Sequence, residues 1–317
     1  MDKKNLVIII FTTLLSCANN SEEYLNSDIK VFHNNITLIG DLTNRLSLSK
    51  PLHDTVVINR IIDVFWSQEN LYDKRKLGHE DRMSFLRMGG NISWIPSENE
   101  LNIIDLGDFE VNHFDRNRYI QGLDTAQNLT IDIDKFKKTI AHQYQNITKT
   151  GGYLLGLLNG LDKEYLPSKK FLRGDSIARI FHYSRDVLVI FTDGYIEFGQ
   201  YGRGDNSLSR KLVTEIRKKM TQSGMTAVEA SKDLGFEIAP ISNEGMTGAE
   251  IFILETNDLS YKNGNPMFQP DDHTIYSEIW KDWLIRSGAS SVIIRQPFST
   301  KADVEQFVKS TLLNSPI

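Results

Sequence analysis

The 317-residue chain contains a single cysteine, Cys17, and this scarcity excludes an internal disulfide and any Cys-x-x-Cys motif. The stability of the folded chain must therefore come from packing. No apolar run reaches the roughly 18 to 20 residues that span a bilayer. The formal net charge of -5 is mild, so it indicates neither nucleic acid nor an anionic membrane as a partner. With 40% hydrophobic residues, the chain can bury one large core or two smaller ones.

Several catalytic signatures are also missing. The chain has no Gly-x-Ser-x-Gly elbow, no Gly-x-x-x-x-Gly-Lys phosphate loop and no His-Glu-x-x-His zinc motif. These absences favour a binding module over an enzyme. An acidic, metal-assisted hydrolase site is compatible with them and stays as the alternative.

The first residues have the pattern of a signal peptide. Lys3 and Lys4 precede the apolar residues 6–15, in the order of a charged n-region and an h-region. The Leu-Leu-Ser-Cys at 14–17 resembles a lipobox, the motif at which bacterial lipoproteins are lipidated and cleaved. The resemblance implies that residues 1–16 are removed and that Cys17 carries the acyl chains, palmitate among them, that anchor the protein.

The polar residues after Cys17 predict a tether. Residues 17–30 are unpatterned, and we expect the folded domain to occupy residues 31–317. Ala18 follows the cysteine directly, which resembles lipoproteins sent to the outer membrane, and Glu22-Glu23 is similar to the surface-export signal of Bacteroidetes lipoproteins. We therefore expect a lipid-anchored protein at the outer membrane, facing the periplasm or the cell surface.

Beyond the tether, short apolar runs alternate with amphipathic segments. The β-branched run at 187–191 is typical of a central strand that is buried on both faces. The other predicted strands are 31–40, 83–88, 101–106, 250–254 and 291–294, the second and third of these forming a hairpin. The predicted helices are 54–65, 153–158, 208–222, 276–287 and a last one that begins at Thr300. Asp54 is the predicted N-cap of the first helix. Thr300 and Asp303 form a predicted capping box at the start of the last one.

This alternation predicts an α/β fold: a doubly wound, mostly parallel sheet with helices on both faces. The polar residues 111–150 predict an insertion with one amphipathic helix. In doubly wound folds the ligand site lies beyond the carboxyl ends of the strands, where the strand order switches. Asp41 and Asp193 each follow a predicted strand, so we expect the site to contain them.

Three segments resemble the von Willebrand factor type A (vWA) domain. Residues 40–45, Gly-Asp-Leu-Thr-Asn-Arg, are similar to the first loop of its metal-ion-dependent adhesion site, which reads Asp-x-Ser-x-Ser or Asp-x-Thr-x-Ser. Residues 191–194, Phe-Thr-Asp-Gly, resemble the last loop of that site. Residues 173–177, Arg-Gly-Asp-Ser-Ile, fall where the family has a Gly-Thr-Asp or Gly-Ser-Asp segment. The resemblance covers roughly residues 31–315.

The resemblance implies a hard divalent cation, Mg2+ or Mn2+, with oxygen ligands. The matching positions are Asp41, Thr43 and Asp193, with Ser176 or Asp175 as the ligand from the middle segment. Arg45 departs from the pattern, because it stands where a second Ser or Thr should be and its charge opposes a divalent cation. In one hypothesis Arg45 points outward and a weakened Mg2+ site survives. In the other, Arg45 bridges Asp41 and Asp193 and replaces the metal with an internal ion pair.

These patterns predict a lipid-anchored, vWA-like module that binds a protein partner in the cell envelope without catalysing a reaction. The alternative is a phosphatase-like, metal-assisted hydrolase in which Asp41, Asp175 and Asp193 gather at the strand ends. Nucleic acid is not expected as a partner.

Overall fold

A computed structural model of the chain describes residues 28–42, 50–67, 79–88, 100–109, 113–146, 154–161, 165–166, 171–177, 179–196, 207–262 and 265–313. The predicted signal peptide and most of the predicted tether, Cys17 included, lie outside these residues. Within them, no helix has both the length and the apolar character that crossing a membrane requires.

The described strands form one mixed, mostly parallel sheet and a separate small hairpin. Their bounds are β1 (Ile29–Asp41), β2 (Arg82–Met88), β3 (Ile103–Asp105), β4 (Phe171–Asp175), β5 (Ile180–Phe191), β6 (Glu250–Leu254), β7 (Tyr261–Lys262), β8 (Asn265–Pro266) and β9 (Ser291–Ile294). The sheet runs in the order β3-β2-β1-β5-β6-β9, with β4 also paired to β5, while β7 pairs with β8. The β2–β3 and β4–β5 pairs are antiparallel, and the other pairs of the sheet are parallel.

Helices cover both faces of this sheet. Their bounds are α1 (Asp54–Phe65), α2 (His113–Gln121), α3 (Leu129–Gln145), α4 (Leu154–Gly160), α5 (Arg210–Ser223), α6 (Ala227–Asp233), α7 (Asp272–Arg286) and α8 (Lys301–Phe307). One core contains side chains of α1, α3 and α8, and the other contains side chains of α4, α5, α6 and α7. The predicted doubly wound α/β architecture is confirmed.

The alternation of side chains along the two central strands explains the two cores. Leu38, Val187 and Val189 enter the first core, whereas Ile39 and Leu188 enter the second. All five side chains are fully buried, and burying each contributes about 1.5–3 kcal/mol. The continuous apolar run at 187–191 therefore has the physical origin that its pattern predicted, a strand covered on both sides.

The predicted helix starts are close to those observed. Thr300 is the N-cap of α8 and forms a capping box with Asp303, as predicted. His53, and not Asp54, is the N-cap of α1. Asp54 is the first residue of the helix, where its negative charge faces the positive end of the helix dipole.

The predicted polar insertion at 111–150 is partly wrong. The segment contains two helices, α2 and α3, and not one. Phe136, Ile140 and Tyr144 of α3 are buried in the same core as α1. The segment therefore supplies part of the main hydrophobic core, because its few apolar residues recur on one face of a long helix.

The strand β4 and the short helix α6 were not predicted. All five residues of β4 are exposed, so the strand lacks the buried apolar run that reveals a strand in sequence. The helix α6 has only seven residues, too few for a helical period to stand out.

Candidate functional site

The strand order switches between β1 and β5. The chain leaves β1 through α1 to β2 on one side, and it leaves β5 through α5 and α6 to β6 on the other side. The two connections lie on opposite faces of the sheet. A crevice therefore opens beyond the carboxyl ends of β1 and β5, where doubly wound proteins bind their ligands.

Asp41 is the last residue of β1 and lies at this crevice. Its carboxylate is buried, and its Oδ2 accepts a hydrogen bond of 3.4 Å from the hydroxyl of Thr192, the residue after β5. Thr192 is buried too, and its backbone N–H donates to the carbonyl of Leu254 at the end of β6. Backbone pairing of three neighbouring strands thus places a hydroxyl against the Asp41 carboxylate.

Asp193 follows Thr192 in a tight turn. Its Oδ1 accepts the backbone N–H of Tyr195 at 3.1 Å, and its carbonyl accepts the N–H of Asn257 at 3.0 Å. The turn needs Gly194, whose φ of 92° is unfavourable for other residues and whose position leaves 3.0 Å between an added Cβ and the Tyr276 ring. The Thr-Asp-Gly segment therefore holds two oxygen-bearing side chains at the crevice.

The structure separates Asp175 and Ser176 from these residues. Asp175 pairs with Ile180, the first residue of β5, whereas Asp193 follows its last residue, Phe191. Eleven steps of about 3.3 Å along the strand put roughly 36 Å between the two ends. The prediction that Asp175 or Ser176 supplies a third ligand is wrong, because its segment forms the edge strand β4 and a turn beyond it at the amino end of β5.

Asp175 has a local role instead. Its Oδ1 accepts the backbone N–H of Ile177 at 2.8 Å in the turn between β4 and β5. Thr43, Arg45 and Cys17 lie outside the described residues, so the two hypotheses for Arg45 stay predictions.

Sequence reasoning missed a buried ion cluster at the same edge of the sheet. The Lys50 Nζ is 2.8 Å from Asp54 Oδ1 and 3.9 Å from Glu255 Oε2. The Lys50 side chain is 6% exposed and both carboxylates are fully buried. Glu255 directly follows β6, so an acid at the end of a predicted strand, the signal that identified Asp41 and Asp193, was available there as well.

Neutral groups donate hydrogen bonds to the two carboxylates of this cluster. The hydroxyl of Tyr144 donates to Asp54 Oδ2 at 3.3 Å, and the backbone N–H of Phe298 donates to Glu255 Oε1 at 3.2 Å. Glu255 has a φ of 66°, a strained value for a residue with a side chain, and such strain concentrates at functional sites. The cluster connects the segment before α1 with the end of β6 next to the crevice.

The ring of Tyr276 and the imidazole of His273 lie next to the turn that contains Asp193. Burial raises the pKa of Tyr276 above its ordinary range, and the charges of Asp258, Asp272 and Asp193 raise it further. The Tyr276 hydroxyl is 3.1 Å from Nδ1 of His273, and burial lowers the pKa of that histidine. Both side chains are therefore uncharged at neutral pH.

The chemistry of Asp41, Thr192 and Asp193 suits a hard cation, because carboxylate and hydroxyl oxygens are the ligands that Mg2+ prefers. Among the described residues, however, no three His, Cys, Asp or Glu side chains are grouped as metal ligands. The described donors fit part of a Mg2+ shell, and the remainder has to come from other groups.

A second acidic region lies away from the crevice. A cleft of about 540 Å³ between β3, α2 and α3 is lined by Asp105, Asp108, Asp115, Asp124 and Asp132. Asp105 pairs with Arg82 at the start of β2, so the cleft is at the amino end of that strand. Burial raises the pKa of Asp105. Of the predicted ligands that the structure describes, none lines this cleft.

The fold defines the class of protein: an open, doubly wound α/β domain with the acidic residues Asp41 and Asp193 at its strand switch. No protein-family model matches the chain, and no curated protein is significantly similar to it in sequence.

Proposed function

We propose that the chain is a vWA-like binding module of the bacterial cell envelope, whose crevice between β1 and β5 binds an acidic group of a protein partner through Mg2+. The observation that carries the proposal is the contact of Asp41 with Thr192 across the strand switch, with Asp193 as the next residue. This contact supports the proposal because carboxylate and hydroxyl groups from two strand ends lie at the point where doubly wound folds bind ligands.

A bound Mg2+ would supply positive charge for a partner carboxylate. Asp41 and Asp193 would neutralise that ion, and Thr192 keeps a hydroxyl dipole beside Asp41. Lys50 supports this arrangement indirectly, because its one positive charge offsets part of the negative charge of Asp54 and Glu255. Those two buried carboxylates therefore do not add their full charge to the crevice.

The hydrolase alternative is less well supported. It requires Asp41, Asp175 and Asp193 to gather around the reacting group, and Asp175 is at the opposite end of β5. A separation of roughly 36 Å, at about 3.3 Å per residue, is far beyond the reach of a shared metal or substrate atom.

Calorimetric titration with Mg2+ and with Mn2+ tests the proposal. We expect binding by the unaltered protein, and loss of binding in Asp41→Asn and in Asp193→Asn. Asp175→Asn is the matched control, since it makes the same chemical change at the far end of β5 and should leave binding intact. Absence of metal binding in the unaltered protein would contradict the proposal and favour the Arg45 ion pair.

We also propose that the module is a lipoprotein anchored through Cys17 at the outer membrane. The support is the charged and apolar residues 3–15 followed by Leu-Leu-Ser-Cys at 14–17. The strand β1 begins at Ile29, which leaves a polar connection of about a dozen residues between the anchor and the domain.

A further inference from the structure

The amino halves of β1 and β5 form a ribbon with β4 at one end of the sheet. Residues 180–183 of β5 pair with β1 on one side and with β4 on the other, whereas residues 187–191 pair with β1 and β6. The turn between β4 and β5, of which Ser176, Ile177 and Arg179 are described, is the tip of this ribbon. It lies at the opposite end of β5 from Asp193.

Large apolar side chains are exposed on the ribbon. Ile177, in the turn at the tip, is 96% exposed, and Ile29 at the start of β1 is 54% exposed. Phe171 and Leu172 of β4 are also exposed. An isoleucine that is nearly fully exposed keeps its apolar side chain in water, and burying that side chain would contribute about 1.5–3 kcal/mol.

The chain enters the domain at this same tip. The backbone N–H of Ile29 donates to the carbonyl of Arg179 at 2.8 Å, and Arg179 forms an ion pair with Asp28 at 2.9 Å. Ile29 follows Cys17 by 12 residues. A fully extended connection of that length reaches at most about 40 Å, so lipid on Cys17 would keep the tip close to the membrane.

We infer that the tip of the ribbon is a membrane-docking surface, with the side chain of Ile177 inserted at the level of the lipid headgroups and Ile29 beside it. The inference rests on the lipid anchor at Cys17 proposed above. The occupant is a phospholipid surface, because the tether enters the domain at this end, which is therefore the end nearest to the anchor along the chain.

The charged neighbours of Ile177 set the depth of docking. Asp175 and Arg179 flank it in the turn, and Arg173 forms a two-pronged ion pair with Glu80. These groups stay hydrated, so only the apolar side chains at the tip enter the interface. The Asp28–Arg179 and Arg173–Glu80 pairs each join a positive and a negative charge at this end of the domain.

Docking by the tip also orients the binding crevice. Asp41 and Asp193 are roughly 36 Å from the tip, at about 3.3 Å for each residue of β5. The crevice then faces away from the membrane that carries the anchor, toward a partner in the aqueous compartment.

Spin labelling of the lipidated, full-length protein in phosphatidylethanolamine–phosphatidylglycerol vesicles tests the inference. The single natural cysteine is acylated, so Ile177→Cys provides a unique thiol for a nitroxide label. Met267→Cys is the matched control, because Met267 is exposed and follows β8, in the segment between β6 and α7 at the carboxyl edge. Collisions of each label with membrane-soluble oxygen and with a water-soluble nickel chelate report its depth.

We expect the oxygen-to-nickel collision ratio to be several-fold higher at position 177 than at position 267. Equal ratios in protein that floats with the vesicles would overturn the docking inference and leave the anchor proposal standing. Failure of the unlabelled protein to float with vesicles would overturn the anchor, and the docking inference with it. Position 177 is in an exposed turn, so the substitution does not disturb the core.

Discussion

The ammonium of Lys50 lies 2.8 Å from Asp54 Oδ1 and 3.9 Å from Glu255 Oε2, and it joins the start of α1 to the end of β6. Two carboxylates removed from water require a cation close by, because an uncompensated buried charge is strongly destabilising. The pair Lys50 and Asp54 is four residues apart, whereas Glu255 comes from a strand on the other side of β5. The cluster therefore couples the two halves of the doubly wound sheet beside the crevice.

Replacement of Lys50 by methionine should destabilise the protein by about 3–5 kcal/mol, since it leaves Asp54 and Glu255 buried without their cation. Urea unfolding followed by circular dichroism measures the change. Lys138→Met is the matched control, because Lys138 forms an exposed pair with Asp134 that should contribute at most about 1 kcal/mol. Equal losses of unfolding free energy in the two variants would show that the Lys50 cluster stabilises the protein no more than an exposed ion pair does.

Gly194→Ala should disturb the Asp193 turn. At a φ of 92° an alanine is strained by about 1–3 kcal/mol, and its Cβ would also be 3.0 Å from Cε2 of Tyr276. Gly122→Ala separates the two effects, since Gly122 has a φ of 71° and nothing within 4 Å of an added Cβ. We expect the larger loss of stability for Gly194→Ala, together with weaker Mg2+ binding in calorimetry. Stability losses of the same size would mean that the Tyr276 contact is relieved easily.

Stability should fall as the pH decreases from about 6.5 to about 4 because of His33. Burial lowers the pKa of His33 from its usual 6.5 to about 4. The unfolded chain therefore binds a proton in this window that the folded chain does not, and up to about 2–3 kcal/mol is lost by pH 4. Above pH 6.5 this contribution is constant, since the imidazole is neutral in both states.

The hydrogen bonds of His33 explain why its neutral form is retained. Nδ1 accepts the backbone N–H of Glu80 at 2.7 Å, so the neutral ring carries its proton on Nε2, which is 2.8 Å from Nδ1 of His182. In His33→Gln, the unfolding free energy should vary less between pH 7 and pH 4 than in the unaltered protein. The exposed His142, changed to Gln, serves as control. An unchanged pH dependence of the unfolding free energy in His33→Gln would show that His33 does not cause the loss of stability at low pH.

Phe136→Ala tests whether the segment containing α2 and α3 belongs to the core. Phe136 is fully buried, and its truncation should reduce stability by about 3–5 kcal/mol. Phe114, in the neighbouring helix α2, is exposed, and Phe114→Ala should change stability by about 0.5 kcal/mol or less. Thermal or urea unfolding gives both values. A small loss of stability for Phe136→Ala would show that residues 111–150 are a peripheral insertion and not part of the core.

Cys17→Ala should abolish lipidation and leave the apolar signal peptide uncleaved, so the variant should run as a larger, unlabelled precursor. Acyl chains contribute about 0.8 kcal/mol per buried methylene, so their loss removes the lipid anchor. Metabolic labelling with palmitate and gel electrophoresis measure the effect, with Ser21→Ala in the predicted tether as control. Incorporation of label into Cys17→Ala would mean that the anchor is elsewhere.

Most of the fold could be predicted because buried strands carry continuous apolar runs and amphipathic helices carry a helical period. The strands at 250–254 and 291–294 were predicted with their observed bounds, and 187–191 was identified as a strand covered on both faces. Asp41 and Asp193 were also predicted to lie at the carboxyl edge, since each comes within two residues of the end of such a run. The information for these features is local.

Tertiary structure alone decided which distant residues meet. The Arg-Gly-Asp-Ser-Ile at 173–177 matches a site segment in order and spacing, yet antiparallel pairing with the amino half of β5 carries it to the far end of the sheet. Parallel pairing of β1, β5 and β6 brings Thr192 to Asp41, and it brings Glu255 toward Lys50. Strand pairing and register are cooperative, long-range properties, so a single sequence determines the elements and the acids at their ends, whereas the assembled sheet determines which of those acids share a site.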